Sequence, residues 1–154
     1  MANWTQITLD LKVPEDNGVK SIASPWLLAL AVIDDCDHLR IEADGEWQLL
    51  PGLDVKCGPD GRGDIPIADT GLILPACPPG ALIGKIGGSS AAIEQRPDDA
   101  DAAAVLPALF AIGKTCMVPL EKMPHGPLFI GINIALRPLT IDRIELKIFG
   151  ATIG

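Results

Sequence analysis

Asp34-Asp35-Cys36-Asp37-His38 sets three carboxylates, a thiol and an imidazole in consecutive positions, side chains that hold hard cations or zinc. Adjacent residues of an extended chain point to opposite faces, so only alternate members converge without a tight loop. A solvated turn is the expectation. His38 and His125 are the only histidines, and no serine sits in a Gly-x-Ser-x-Gly frame, so a Ser-His-acid triad has little to build on. Cys-His catalysis needs a thiol beside one of the histidines, and the sequence gives no local hint of one. A carboxylate pair for glycoside cleavage is defined by separation in space, which sequence does not show. No enzyme is expected.

Other short motifs have plain readings. Arg62-Gly63-Asp64 matches an adhesion tripeptide, but three residues recur by chance and a charged loop tip is the expectation. Ile83-Gly84-Lys85-Ile86-Gly87 lacks the spacing of a phosphate-binding loop, and Lys85 reads as a strand residue with its stem over apolar surface. Cys36, Cys57, Cys77 and Cys116 include no Cys-x-x-Cys pair, which argues against zinc ribbons and thioredoxin-like redox chemistry. Free, mostly buried thiols are expected.

The elements that would position such groups are strands. Ile7, Leu9, Leu11 and Val13 alternate with polar residues, the period of a half-buried strand over 5–13. Pro14 and Asp16-Asn17-Gly18 end it. Residues 19–23 read as a second strand, and 39–43 as a third that Asp44-Gly45 should turn. Residues 26–33, Trp-Leu-Leu-Ala-Leu-Ala-Val-Ile, are either a short helix opened by Ser24-Pro25 or a fully buried strand. The stretch 51–71 is almost all turn chemistry, so a long ordered loop is expected, where ligands are usually met. Residues 98–110, acidic at their start and Ala-rich in the middle, read as a short helix that Pro107 stops or kinks. Ala81, Leu82, Ile83 and Ile86 form a buried strand between Pro-Pro-Gly and Gly-Gly. Strands resume over 127–135 and 141–149, the inward face of the latter starting at Ile144.

Composition sets the class. The 154 residues make one domain, and 16 glycines with 14 prolines depress helix and punctuate short strands. The expected fold is all-β, a jelly-roll-like β-sandwich, with at most one or two short helices. Twenty acidic against 12 basic residues give a charge of −8, which repels nucleic acid. No apolar run is long enough to span a bilayer, and no secretory signal is visible at the start, so a soluble cytoplasmic protein is expected.

Several blocks, in order, resemble the soluble galactose-binding bacterial lectins of the LecA (PA-I) type: Asn17-Gly-Val-Lys-Ser-Ile22, Asp37-His-Leu-Arg-Ile-Glu-Ala-Asp-Gly-Glu-Trp47, Lys56-Cys-Gly-Pro-Asp-Gly61, Thr70-Gly-Leu-Ile73 with Gly80-Ala-Leu-Ile-Gly-Lys-Ile-Gly87, and Gly126-Pro-Leu-Phe-Ile-Gly-Ile-Asn133. They cover most of the chain. The resemblance implies a small jelly-roll sandwich that binds sugar through a calcium ion. That ion's aspartate would follow Asn133, where this chain has Ile134. The next loop, 135–141, carries Arg137 and Pro138 in place of paired asparagines. Calcium needs six to eight oxygens, so the site is expected to be lost, with no metal or cofactor.

The resemblance puts any ligand site at the sandwich end formed by 57–70 and 133–140. The candidate ligand-binding residues are Trp47, Asp60, Arg62, Asp64, Asp69, Thr70 and Asn133. Trp47 has two readings, a platform under a pyranose ring or a core residue. The function expected is a noncatalytic, calcium-independent carbohydrate-binding module. The rival is a structural or assembly protein that keeps the sandwich without sugar binding, which the shortage of aromatic rings favours. The apolar run at 26–33 has no counterpart in the lectins and suggests a homo-oligomer, with Leu28 and Leu30 at its interface.

Overall fold

A computed structural model describes residues 3–22, 25–33, 36–49, 55–65, 71–87, 108–121, 123, 126–135 and 139–152. Their regular structure is all strand: β1 Thr5–Ile7, β2 Glu15–Asp16, β3 Val19–Ile22, β4 Leu27–Leu30, β5 His38–Gln48, β6 Lys56–Cys57, β7 Leu82–Ile86, β8 Ala108–Ala111, β9 Thr115–Pro119, β10 Leu128–Ile132 and β11 Leu139–Ala151. No α-helix occurs among the described residues. These strands form two antiparallel sheets, and the all-β sandwich expected from composition is what the chain adopts.

The larger sheet is organised by one long pair, β5 against β11. Each long strand has two short partners on its far side. β11 takes β3 near its start and β1 near its end, while β5 takes β9 near its start and β6 near its end. β2 extends the sheet beyond β3 through a hairpin in which Asn17 and Gly18 both have positive φ, 52° and 79°, the conformation that favours Asn-Gly. The smaller sheet runs β4-β10-β7-β8.

Two details of the long pair differ from the sequence expectations. β5 does not turn at Asp44-Gly45 but runs on to Gln48, with Gly45 opposite Ile144. A Cβ on Gly45 would lie 2.6 Å from the Arg143 carbonyl oxygen, so the glycine permits close approach of strands rather than a reversal. On β11 the register shifts between Ile141 and Arg143. The bulge resets the alternation, so Ile141 is buried on the same side as Ile144, Leu146 and Ile148 and the inward face begins before Ile144.

The core between the sheets joins Leu39, Ile41, Trp47, Ile141, Leu146 and Ile148 of the larger sheet to Leu82, Ile86, Leu128, Ile130 and Ile132 of the smaller. The 26–33 run, open to two readings in the sequence, contains strand β4. Its Leu30 is buried in the core and only Leu28 reaches solvent, so Leu30 is corrected from an interface candidate to a core residue. Residues 98–107 of the expected helix lie outside the described residues, and Ala108–Ala111 is strand.

The N-terminal arm closes one side of the sandwich. Only Thr5–Ile7 joins a ladder, yet Ile7, Leu9, Leu11 and Val13 all pack against the core. Between them Asp10 caps the edge of β4: its backbone N–H donates to the Ala29 carbonyl at 2.9 Å, and its carboxylate accepts from the Ala31 N–H at 2.8 Å. Covering the edge of β4 in this way occupies backbone groups that would otherwise be open to pairing with another chain.

A second apolar cluster lies on the outer face of the smaller sheet, where Trp26, Ile73, Ile83 and Phe129 are buried with Leu74, Cys77 and Leu109 packed against them. Gly131 makes room for it, since a Cβ there would sit 2.7 Å from the Pro25 carbonyl oxygen and 2.8 Å from the Trp26 ring. Gly131→Ala is therefore expected to destabilise the fold by about 1–3 kcal/mol, the usual range for overpacking, as read by urea denaturation. Leu30→Glu should unfold the chain and Leu28→Glu should leave its midpoint nearly unchanged.

Candidate functional site

The loop after β6 is fixed to the sandwich end through its backbone. Gly61 N–H donates to Gly58 O at 2.9 Å, Arg62 N–H to Pro79 O at 2.9 Å, and Leu82 N–H to Pro59 O at 2.8 Å. Gly61 has φ 72°, and a Cβ there would lie 2.6 Å from Pro79 O, so this turn and its contact with 79–81 both call for glycine. On this frame three candidate side chains reach solvent. Arg62 donates to Asp64 from Nε at 3.1 Å and from a terminal nitrogen at 2.7 Å, a two-point fork. Asp60 accepts from the Lys114 backbone N–H at 3.0 Å and has the Lys114 ammonium at 3.8 Å. The Arg62 hydrogen bond holds the Asp64 carboxyl below its ordinary range.

The closed fork also bears on the adhesion tripeptide. Arg62 and Asp64 are paired with each other and both stay partly exposed, as a charged loop tip does.

Trp47 and Asn133, by contrast, are part of the framework. Trp47 is 0% exposed and donates from Nε1 to the Gly80 carbonyl at 2.9 Å, so the ring is core and offers no face to a sugar. Asn133 is also 0% exposed. Its Oδ1 accepts from the Leu74 N–H at 2.7 Å, and its Nδ2 donates toward the carbonyls of Leu74, Cys77 and Pro78 at 2.9, 3.0 and 3.1 Å. The backbone of Asn133 pairs with the same segment through Gly80 N–H and Ala81 O. Both residues, expected to bind ligand, are thus corrected to structural roles. The physical reason is the same for each: a buried polar atom must find a partner, and the 74–81 segment supplies it.

Asp69 and Thr70 lie outside the described residues. Among the described residues, the two loops expected to meet at the sandwich end are joined through the 71–81 strap, which touches Asn133 on one side and Gly61 and Arg62 on the other. Sequence reading missed this strap. Its visible signal was Pro75 and Pro78-Pro79-Gly80, stiff punctuation within three turns of a strand start.

Lys85 departs further from expectation. It belongs to β7, is 0% exposed, and its Nζ lies 5.0 Å from the Trp26 ring centre and 5.2 Å from that of Phe129. Phe129 is its direct cross-strand neighbour, so strand register alone brings ring and ammonium together. Not only the stem but the charge is inside.

The remaining reactive groups are subdued. All four cysteines are free thiols, and burial pushes Cys57 and Cys116 up to about 11, leaving them protonated at neutral pH. Asp34 and Asp35 lie outside the described residues, while Asp37 and His38 contact each other at 2.7 Å. Among the described residues no three metal-ligating side chains gather.

Asn133→Ala should destabilise the fold by roughly 3 kcal/mol, because it strands a buried N–H and several carbonyls at once. A denaturation midpoint close to the native one would contradict this. In the 58–65 loop, the Asp64 carboxyl should titrate below its ordinary value near 3.8, because the Arg62 hydrogen bond favours the charged form. Because its folded pKa is depressed, the fork's contribution is present above the unfolded value and lost as pH falls through the folded one. An NMR titration of the carboxyl carbon measures this, and Arg62→Ala should return it to the ordinary range. Comparison with known proteins adds no relative: no family model, curated protein or solved structure matches the chain.

Proposed function

We propose that the chain is a noncatalytic carbohydrate-binding module that recognises its ligand directly, without calcium, through the 58–65 loop. The observation that carries this reading is the exposed polar set of Asp60, Arg62 and Asp64, held on a loop whose backbone is pinned to the sandwich. Fixed donors and acceptors of this kind suit hydroxyl-rich ligands, since little ordering entropy is lost on binding. The likeness of sequence blocks to galactose-binding lectins supports the same class. Asn133 is no ready ligand for a cation, because its one oxygen already accepts from Leu74.

A second reading, a structural or assembly protein, is favoured by a specific observation. Trp47 is consumed by the core, and among the described residues Trp26, Phe110 and Phe129 are likewise packed into apolar clusters, which leaves few rings to stack on a sugar. In that reading the chain forms a homo-oligomer, and the half-exposed Leu28 with the exposed Val32 supplies apolar surface at the β4 end.

A glycan array probed with and without chelator separates the two. The first reading expects binding that survives chelation and that Asp64→Ala weakens by roughly 1–3 kcal/mol, the scale for a hydrogen bond to a charged group. Silence across the array, with a stable oligomer in light scattering, supports the second.

A further inference from the structure

The outer face of the larger sheet is a lattice of charges, with Glu42, Asp44 and Glu46 of β5 opposite Lys147, Glu145 and Arg143 of β11. Cations elsewhere on the surface find carboxylates: Arg143 meets Asp44 at 2.7 Å, and Arg62 meets Asp64 at 2.7 Å. Arg40 is arranged differently. Its guanidinium carbon lies 4.5 Å from the centre of the Phe149 ring, directly across the ladder, and 5.0 Å from that of Trp4 on the N-terminal arm. Its contact with Glu42 is long, 3.9 Å from Nε to Oε1. That Nε is shut off from solvent and has no hydrogen-bond partner among the described residues.

Trp26, Trp47 and Phe129 are buried, and Phe110 packs against the core. Trp4 and Phe149 are the half-buried aromatics left on the surface, and both converge on this arginine. Rings hold a guanidinium in place without using its donors, so its edge is left for a planar, two-point acceptor. A buried donor lacking an acceptor calls for one.

We propose that Arg40, with Trp4 and Phe149, forms a binding site for the carboxylate of a small acid, separate from the 58–65 loop and independent of the sugar-binding reading. Once Glu42, whose Oε1 lies 3.9 Å from the solvent-shielded Nε, has swung aside, the carboxylate takes Nε and a terminal nitrogen side-on. Glu42 gates it: its carboxylate competes for the same edge and, being 47% exposed, is free to swing toward Lys147, its cross-strand neighbour. Exposed Met117, opposite Arg40 on β9, supplies apolar surface for the body of the ligand.

The test is an NMR titration of the full chain with glucuronate and, separately, with N-acetylalanine, using glucose as the uncharged control. The Arg40 Nε–H and Trp4 indole N–H signals report. Saturable shifts are expected with at least one acid and none with glucose, and the tighter acid tells whether the carboxylate comes from a sugar or a peptide-like source. Arg40→Lys should weaken binding about tenfold, since a point charge replaces the fork. Glu42→Gln, which leaves the ring stack intact, should tighten it severalfold. Equal shifts with glucose, no shift with either acid at millimolar concentration, or no tightening in Glu42→Gln would overturn the proposal.

Discussion

The side chain of Asn133 is the constraint on which one end of the molecule depends. Buried at the close of β10, it has four polar valences to satisfy away from water, and the 74–78 turn meets them with one N–H and several carbonyls. This clip fixes the strap, and the strap lays Ile73, Leu74 and Cys77 over the outer face of the smaller sheet. Lys85 and its two rings are buried on that same face. From the other side the strap fixes Gly61 and Arg62, so the exposed polar loop inherits its position from a buried amide.

This arrangement leaves Asn133 and Trp47 no part in a ligand site at this end of the sandwich. A site built around a cation needs oxygens that point to a common centre and are free to give up water. Here the asparagine oxygen is committed to a backbone amide, and the position after it is Ile134, buried in the core. Trp47 is committed in the same way to Gly80. The side chains that stay exposed on the described part of this loop are Asp60, Arg62 and Asp64.

Much of the fold was legible because burial enforces period. The continuous apolar runs of β7 and β10 are direct images of fully buried strands, and the alternation at Ile7, Leu9, Leu11 and Val13 reports which side of the arm packs on the core, although only Thr5–Ile7 of the strand expected over 5–13 forms. What failed were features that period cannot encode. Gly45 looks like a turn residue yet serves close strand approach, and the bulge at Asp142 silently shifts the phase of β11. Hydrogen-bond commitments were equally hidden: nothing in the neighbours of Trp47 or Asn133 says that each answers to a carbonyl far away in sequence. For Lys85 the sequence indicated a strand residue with its stem over apolar surface, but not the burial of its head, because the aromatic partners lie on two other segments.

Amide hydrogen exchange at Leu74 tests the central constraint most directly. Its N–H donates to Asn133 Oδ1 in a loop segment that has no ladder of its own. If the clip holds the strap as a cooperative part of the fold, this amide is protected nearly as well as those of β10, opening only with the global unfolding reaction. Exchange at the rate of an exposed loop, with β10 still protected, would contradict the account.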